Sequence, residues 1–192
     1  MKLNITLMKN KIKKYAENKQ IKDIILFGSV IRNKSNPKDI DILILFNDKI
    51  NKDLEYEIKK ELNDCYENIA ITSKTLINDD SFLARDSIYF EGYSLLRSKY
   101  ISEEMGYVSF TLFKYQTNVL TNSQKVTFYN ALNGRNSIGL IEQYDCIKLS
   151  NNALLVPLEN SEFFKEFFEK WTEYKLIPLL IPSRLAKKKI LE

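Results

Sequence analysis

Histidine is missing from this chain of 192 residues, and its absence excludes several large classes of enzyme. A Ser-His-Asp triad, an HExxH zinc site and a histidine general base all need an imidazole. Any acid–base chemistry therefore falls to Asp, Glu, Lys, Tyr, Cys or water. Cysteine is scarce as well, because only Cys65 and Cys146 are present and they lack CxxC spacing. This argues against a zinc site and favours two small buried side chains.

Long apolar runs and a strong net charge are also missing. No apolar stretch approaches the roughly 18–20 residues of a membrane-spanning helix, and the lysine-rich N-terminus lacks the apolar block of a signal peptide. We therefore expect a cytoplasmic protein without a membrane partner. The net charge of +4 permits an acidic partner but does not indicate one. The apolar share of 44% is that of a folded globular protein.

The most informative stretch is IILFGSVIRNKSNPKDIDILILF, residues 24–46. Its two apolar runs predict strands over 23–27 and 40–46. The connector between them predicts a bend at Gly28-Ser29, then a short helical turn and a polar loop. Backbone N–H groups and a hydroxyl at such a bend are suited to binding phosphate.

Two aspartates stand at the start of the second strand. Side chains at i and i+2 of a strand share a face, so Asp39 and Asp41 project together. Ile40, Leu43 and Leu45 are expected to pack into a core. Two adjacent carboxylates repel each other unless a cation lies between them, and such a pair suits Mg²⁺, which is often held by one or two carboxylates and substrate phosphates. A solvated acidic strand end without a ligand is the alternative interpretation.

The spacing of Gly28-Ser29, nine residues and Asp39-Ile40-Asp41 resembles the signature of the DNA polymerase β-like nucleotidyltransferases. More narrowly, it is similar to that of their minimal nucleotidyltransferase (MNT) group. The resemblance implies an α/β or α+β fold with a small mixed sheet. It implies that the Gly-Ser bend holds the triphosphate of ATP, and that both aspartates bind metal and serve catalysis.

Three further positions belong to this motif. Arg32 stands where many members of the group have the arginine of Gly-Ser-x-x-Arg-Gly, whereas Asn33 replaces the glycine and Lys38 replaces a frequent serine. We expect Arg32 and Lys38 to bind the phosphates together with the Gly-Ser bend.

A third carboxylate is harder to find. Members of the group usually carry it on a third strand, which the sequence predicts over 68–74. The side chains that would face the site there are Asn68, Ala70 and Thr72, none of them acidic. Glu67 is the nearest candidate, but its position is out of phase with this face unless the strand begins with a bulge.

The rest of the chain is predicted from its periodicity. We expect a nucleotidyltransferase-like domain over 1–98, a second small α+β domain over 103–182 and a basic tail over 183–192. The first domain should contain helices over 4–19, 51–66 and about 80–92, the last packed through residues such as Phe82, Leu83 and Ile88. The second should contain strands over 107–115, 153–158 and 175–181 and helices over 123–132 and 161–174.

Two functions of different classes fit these patterns. The first is an Mg²⁺-dependent nucleotidyltransferase that moves AMP from ATP to an acceptor hydroxyl. The resemblance implies a protein acceptor, such as a tyrosine of a HEPN-type toxin, although the C-terminal domain is larger than related antitoxins carry. The second is a catalytically weakened module that binds a protein or nucleic acid, which the missing third acid favours. Transfer to an RNA end or to an antibiotic has no dedicated feature in the sequence.

Overall fold

The structure is a computed structural model that describes residues 4–34, 37–78 and 80–186. The chain divides into two compact units, Met1–Met105 and Gly106–Glu192. Each unit combines helices with its own β-sheet, so the predicted α+β class with a second, smaller α+β part is confirmed.

The N-terminal unit contains a mixed sheet of five strands in the order β3-β2-β1-β4-β5. The strands β1 and β2 are antiparallel, whereas β2 and β3 run parallel on either side of a helical crossover. The strands are β1 (Ile21–Phe27), β2 (Ile40–Phe46), β3 (Ile69–Lys74), β4 (Tyr93–Ser94) and β5 (Lys99–Tyr100).

The described residues of this unit form four helices, and the crossover helix shows why they form where they do. The side chain of Asn51 accepts hydrogen bonds from the N–H groups of Asp53 and Leu54 and so caps the crossover helix. Leu54, Ile58 and Leu62 then form its buried stripe. The helices are α1 (Ile5–Ile12), α2 (Lys52–Asn63), α3 (Arg85–Glu91) and α4 (Ile101–Glu104), and the 3₁₀ turn Lys13–Glu17 continues α1.

The sheet supplies most of the core of this unit. Its central strands are buried along almost their whole length, as expected for strands covered on both faces. One face packs against α3 through a cluster that contains Ile25, Phe27, Leu43, Phe82 and Ile88.

The segment before α3 differs from the expectation. The structure begins this helix at Arg85, later than predicted, because 80–84 form turns; position 79 lies outside the described residues. Phe82 and Ile88 enter the core as predicted. The prediction for Leu83 is wrong, since its side chain is 99% exposed: without the helix, the spacing that placed it on the buried face does not apply.

The C-terminal unit contains an antiparallel sheet in the order β7-β8-β6-β9. The predicted strands over 107–115, 153–158 and 175–181 are present with small shifts at their ends. The strands are β6 (Tyr107–Tyr115), β7 (Ile147–Ser150), β8 (Ala153–Pro157) and β9 (Tyr174–Pro182). The helices are α5 (Asn122–Asn133), α6 (Leu140–Gln143), α7 (Ser161–Trp171) and α8 (Ser183–Ala186).

An aromatic cluster fills the space between this sheet and its helices. Phe168 of α7 stacks on Phe113 and Tyr115 of β6, with ring centroids 5.1 and 4.7 Å apart. Phe128 of α5 completes the same cluster. The aromatic stripe of α7 is therefore core, apart from Phe163, which is 40% exposed.

Two expectations about helix ends need comment. The sequence predicts Ser123 as the cap of α5, but the residue that caps this helix is Thr121. Its hydroxyl accepts a hydrogen bond from the N–H of Gln124, and the side chain of Gln124 accepts one from the N–H of Thr121. Of the predicted tail, 183–186 form α8, and 187–192 lie outside the described residues. Among the described helices, none has the length and apolar character to cross a bilayer.

Candidate active site

The bend after β1 lies directly beside an aspartate of β2. The antiparallel register pairs Phe27, the last residue of β1, with Asp41. Gly28 follows with φ +83°, and a Cβ atom added to it would stand only 2.6 Å from Oδ2 of Asp41. This is the left-handed region that glycine adopts at little cost. The structure thus brings the Gly-Ser bend and one of the paired aspartates into contact distance.

Backbone hydrogen bonds close the bend into a single compact turn. The N–H of Ile31 donates to the carbonyl of Gly28 at 3.1 Å, and the N–H of Lys34 donates to the carbonyl of Ser29 at 3.2 Å. Asn33 has φ 58°, the left-handed conformation that asparagine tolerates better than most residues. This explains how asparagine can stand where the Gly-Ser-x-x-Arg-Gly pattern has glycine.

The two aspartates differ in their surroundings. Asp39 precedes β2 and is exposed, whereas Asp41 is partly buried on the strand. Burial raises the pKa of the Asp41 carboxyl above its ordinary value, and the negative charge of Asp39 raises this pKa further. The two carboxylates therefore act on each other, and a cation between them would relieve their repulsion.

The carboxylates of Asp39 and Asp41 fit Mg²⁺ only together with the oxygens of a bound phosphate ligand and water. Within 4–34, 37–78 and 80–186, no group of three or more Cys, Asp or Glu side chains is placed to hold a metal ion. Two carboxylates leave most of an octahedral shell to water and to phosphate oxygens, which is the usual arrangement for Mg²⁺ with nucleotides.

An open groove of about 510 Å³ runs beside Asp39. Lys38 and Glu67 line it, as do residues from α2 and from the start of β3. The parallel register places Ala70 next to Asp41, so β3 carries no acid on this face, as expected. Because β3 begins only at Ile69, Glu67 precedes the strand and reaches the groove without a bulge.

One charged residue of the site was missed by sequence reasoning. Glu91, the last residue of α3, has a side chain only 4% exposed, and it forms an ion pair with Arg32. It also accepts a hydrogen bond from the backbone of Gly28. Burial raises the pKa of Glu91, while Arg32 and this backbone hydrogen bond oppose the rise and the nearby charge of Asp41 adds to it.

The sequence contained a weak signal for Glu91. It stands three residues after the buried Ile88, so helical periodicity places it on the buried face of α3. A glutamate at a buried position needs a basic partner, but nothing in the sequence identifies Arg32, 59 residues earlier, as that partner. Of the two predicted phosphate-binding cations, Arg32 is thus engaged with Glu91, and Lys38 lies exposed at the groove.

Comparison with known protein families gives a match for the first half of the chain. Residues 10–98 match the model of the family described as polymerase beta, nucleotidyltransferase. No curated protein sequence matches the chain.

Three of the solved structures similar to the chain come from toxin–antitoxin pairs. One is a toxin–antitoxin with AMP-PNP, with 22% identity, a TM-score of 0.35 and coverage of 45% of this chain and 71% of that one. Another is a tri-AMPylated Shewanella oneidensis HEPN toxin in complex with an MNT antitoxin, with 24% identity, a TM-score of 0.33 and coverage of 48% and 71%. A mutant of the toxin–antitoxin MntA-HpeT has 20% identity, a TM-score of 0.35 and coverage of 45% and 70%.

Proposed function

We propose that the chain transfers the AMP of ATP to an acceptor hydroxyl, because residues 10–98 match the model of the family described as polymerase beta, nucleotidyltransferase. The observation that carries this proposal is the close approach of the bend to Asp41: a Cβ on Gly28 would stand 2.6 Å from Oδ2 of Asp41. A triphosphate bound at the bend therefore lies within reach of a metal ion held by Asp39 and Asp41.

Each residue of the proposed site has a defined task. At the Gly28-Ser29 bend, the N–H group and hydroxyl of Ser29 bind the phosphate tail, and Lys38 supplies positive charge at the exposed side. Asp39 and Asp41 hold Mg²⁺, which neutralises phosphate charge and orients the reacting oxygens when it is bound. Asp41 is fixed in direction by its strand, which is the positioning that this reaction class depends on.

The bond changes follow from the substrates. The acceptor oxygen forms a bond to the α-phosphorus, the bond from this phosphorus to the oxygen bridging to the β-phosphate breaks, and pyrophosphate leaves with that oxygen. The proton of the acceptor hydroxyl must go to a base or to water. Glu67 is the carboxylate of the groove beside Asp39 and is our candidate for this base.

The acceptor that we propose is a tyrosine hydroxyl of a partner protein of the HEPN toxin class, in the cytoplasm. This part of the proposal is supported by the resemblance of the Gly28-to-Asp41 motif to that of the minimal nucleotidyltransferases. RNA is the alternative acceptor, and the sequence has no feature dedicated to it.

A second candidate function is supported by the composition of β3. Its site-facing residue next to Asp41 is Ala70, where an active enzyme of this type would be expected to carry a carboxylate. A module that binds Mg-ATP and a partner without transferring AMP would have no need of that acid.

The test uses ATP labelled at the α-phosphate, Mg²⁺ and the product of the neighbouring gene as acceptor. We expect the wild type to label this protein and the double variant Asp39→Ala/Asp41→Ala to label nothing while remaining folded. Equal labelling by both proteins would contradict the metal role of the aspartates. Binding of Mg-ATP by the wild type without label in protein or RNA would favour the binding module.

A further inference from the structure

The buried Glu91 contacts two residues of the segment 28–34, which begins with the Gly28-Ser29 bend that we propose to bind phosphate. Its carboxylate pairs with the guanidinium of Arg32 and accepts a hydrogen bond from the backbone of Gly28. We propose that Glu91 is a positioning residue that holds 28–34 in the shape required for the triphosphate. This inference rests on the proposed function for its purpose, but the ordering of the bend can be measured without nucleotide.

The burial of Glu91 shows how tightly this arrangement is held. A carboxylate that is only 4% exposed is stable in its charged form only when partners replace the lost water. Here the partners are a guanidinium and a backbone N–H, and hydrogen bonds to charged groups are stronger than those between neutral groups. Loss of the negative charge therefore removes the ion pair that joins α3 to the bend.

The same contact sets the behaviour of Arg32. Its side chain is 30% exposed, so it lies at the edge of the site with one side against Glu91. A guanidinium anchored in this way loses less freedom when a phosphate binds.

The burial of Glu91 distinguishes it from the two aspartates that we propose to bind metal. Asp41 is partly exposed and Asp39 is exposed, whereas the Glu91 side chain is only 4% exposed and contacts the bend. Glu91 thus acts through Arg32 and Gly28, while the aspartate pair faces the ligand.

The test compares hydrogen exchange in the folded wild type and in Glu91→Gln, which keeps the size of the side chain and can still accept from Gly28 but has no charge for Arg32. Glu162→Gln is the matched control, because Glu162 is a buried glutamate of the C-terminal unit with a lysine partner, Lys165, at 3.5 Å. Without nucleotide, we expect amides 28–34 to exchange about tenfold faster in Glu91→Gln, the change that corresponds to losing one charged hydrogen bond. Exchange in β2 should remain as in the wild type.

A second variant separates positioning from a general loss of stability. If Glu91 acts through Arg32, exchange of 28–34 in Glu91→Gln/Arg32→Gln should be no faster than in Arg32→Gln alone. Unchanged exchange at 28–34 in Glu91→Gln, or an equal rise throughout the N-terminal unit, would overturn the proposal. The affinity for Mg-ATP, measured by calorimetry on the same proteins, should fall about tenfold in Glu91→Gln. Failure of the wild type to bind Mg-ATP, with a local rise in exchange, would contradict the proposed function and leave the ordering role of Glu91 supported.

Discussion

At the scale of single residues, the proposed site depends on the absence of one methyl group. Gly28 has φ +83°, and the Asp41 carboxylate lies 2.6 Å from the position that a Cβ atom of residue 28 would take. Gly106 has the same φ, but nothing lies within 4 Å of the position of its Cβ. Alanine substitutions at these two positions therefore distinguish the effect of backbone strain, which both share, from the effect of displacing Asp41, which only Gly28→Ala has.

We predict that Gly28→Ala weakens Mg-ATP binding at least about tenfold, because the new methyl group must move the Asp41 carboxylate. Gly106→Ala should leave this affinity unchanged. Both substitutions should lower the free energy of unfolding by roughly 1–2 kcal/mol through the left-handed backbone alone. Calorimetric titration and urea denaturation measure the two quantities, and equal affinities for the two variants would show that Asp41 does not need its present position.

The two thiols give a prediction about pH at the same scale. Burial raises the pKa of Cys146 to about 12 and raises that of Cys65 as well. Since the thiolate is the reactive form, both thiols of the folded protein should react slowly with a disulfide reagent at about pH 8. The rate should still be rising with pH where that of the unfolded protein levels off, near the ordinary pKa of about 8.5. A thiol that reacts in the folded state as fast as in urea would contradict this prediction.

At the scale of secondary-structure elements, the sequence was a good guide wherever one pattern was uninterrupted. The alternation of β6 and the apolar run of β2 predicted both strands with their ends. The helix before Gly92 was predicted too long, because spacing alone cannot distinguish the turns of 80–84 from a first helical turn. Capping by Thr121 in place of Ser123 was a choice between two hydroxyls only two residues apart.

The core between β6 and α7 can be tested with two phenylalanines of the same helix. Phe168 is fully buried, whereas Phe163 is 40% exposed. Phe168→Ala should lower the free energy of unfolding of the C-terminal unit by about 3–5 kcal/mol, and Phe163→Ala by about 1 kcal/mol. Trp171, the single tryptophan of the chain, packs against Phe128 in this core, so its fluorescence during urea denaturation reports on the unit. A smaller loss for Phe168→Ala than for Phe163→Ala would contradict the packing described.

At the scale of the whole molecule, the family match covers residues 10–98, and the C-terminal unit has its own sheet and aromatic core. The local part of the candidate site, from Gly28 to Asp41, was predictable because its residues are close in the sequence. The pairing of Arg32 with Glu91 was not, because it joins residues 59 positions apart and depends on how α3 packs on the sheet. The presence of Glu67 at the groove likewise depended on where β3 begins.

The central claim is that Asp39, Asp41 and the Gly28-Ser29 bend bind one metal-bound triphosphate, and calorimetric titration with ATP tests it most directly. The wild type should bind ATP in the presence of Mg²⁺ and at least about tenfold more weakly in EDTA. Asp41→Asn should abolish this dependence on Mg²⁺. The control is Asp48→Asn, which changes an exposed aspartate beyond the end of β2, and it should bind ATP as the wild type does. Binding of ATP that is equally strong with and without Mg²⁺, or unaffected by Asp41→Asn, would contradict the account.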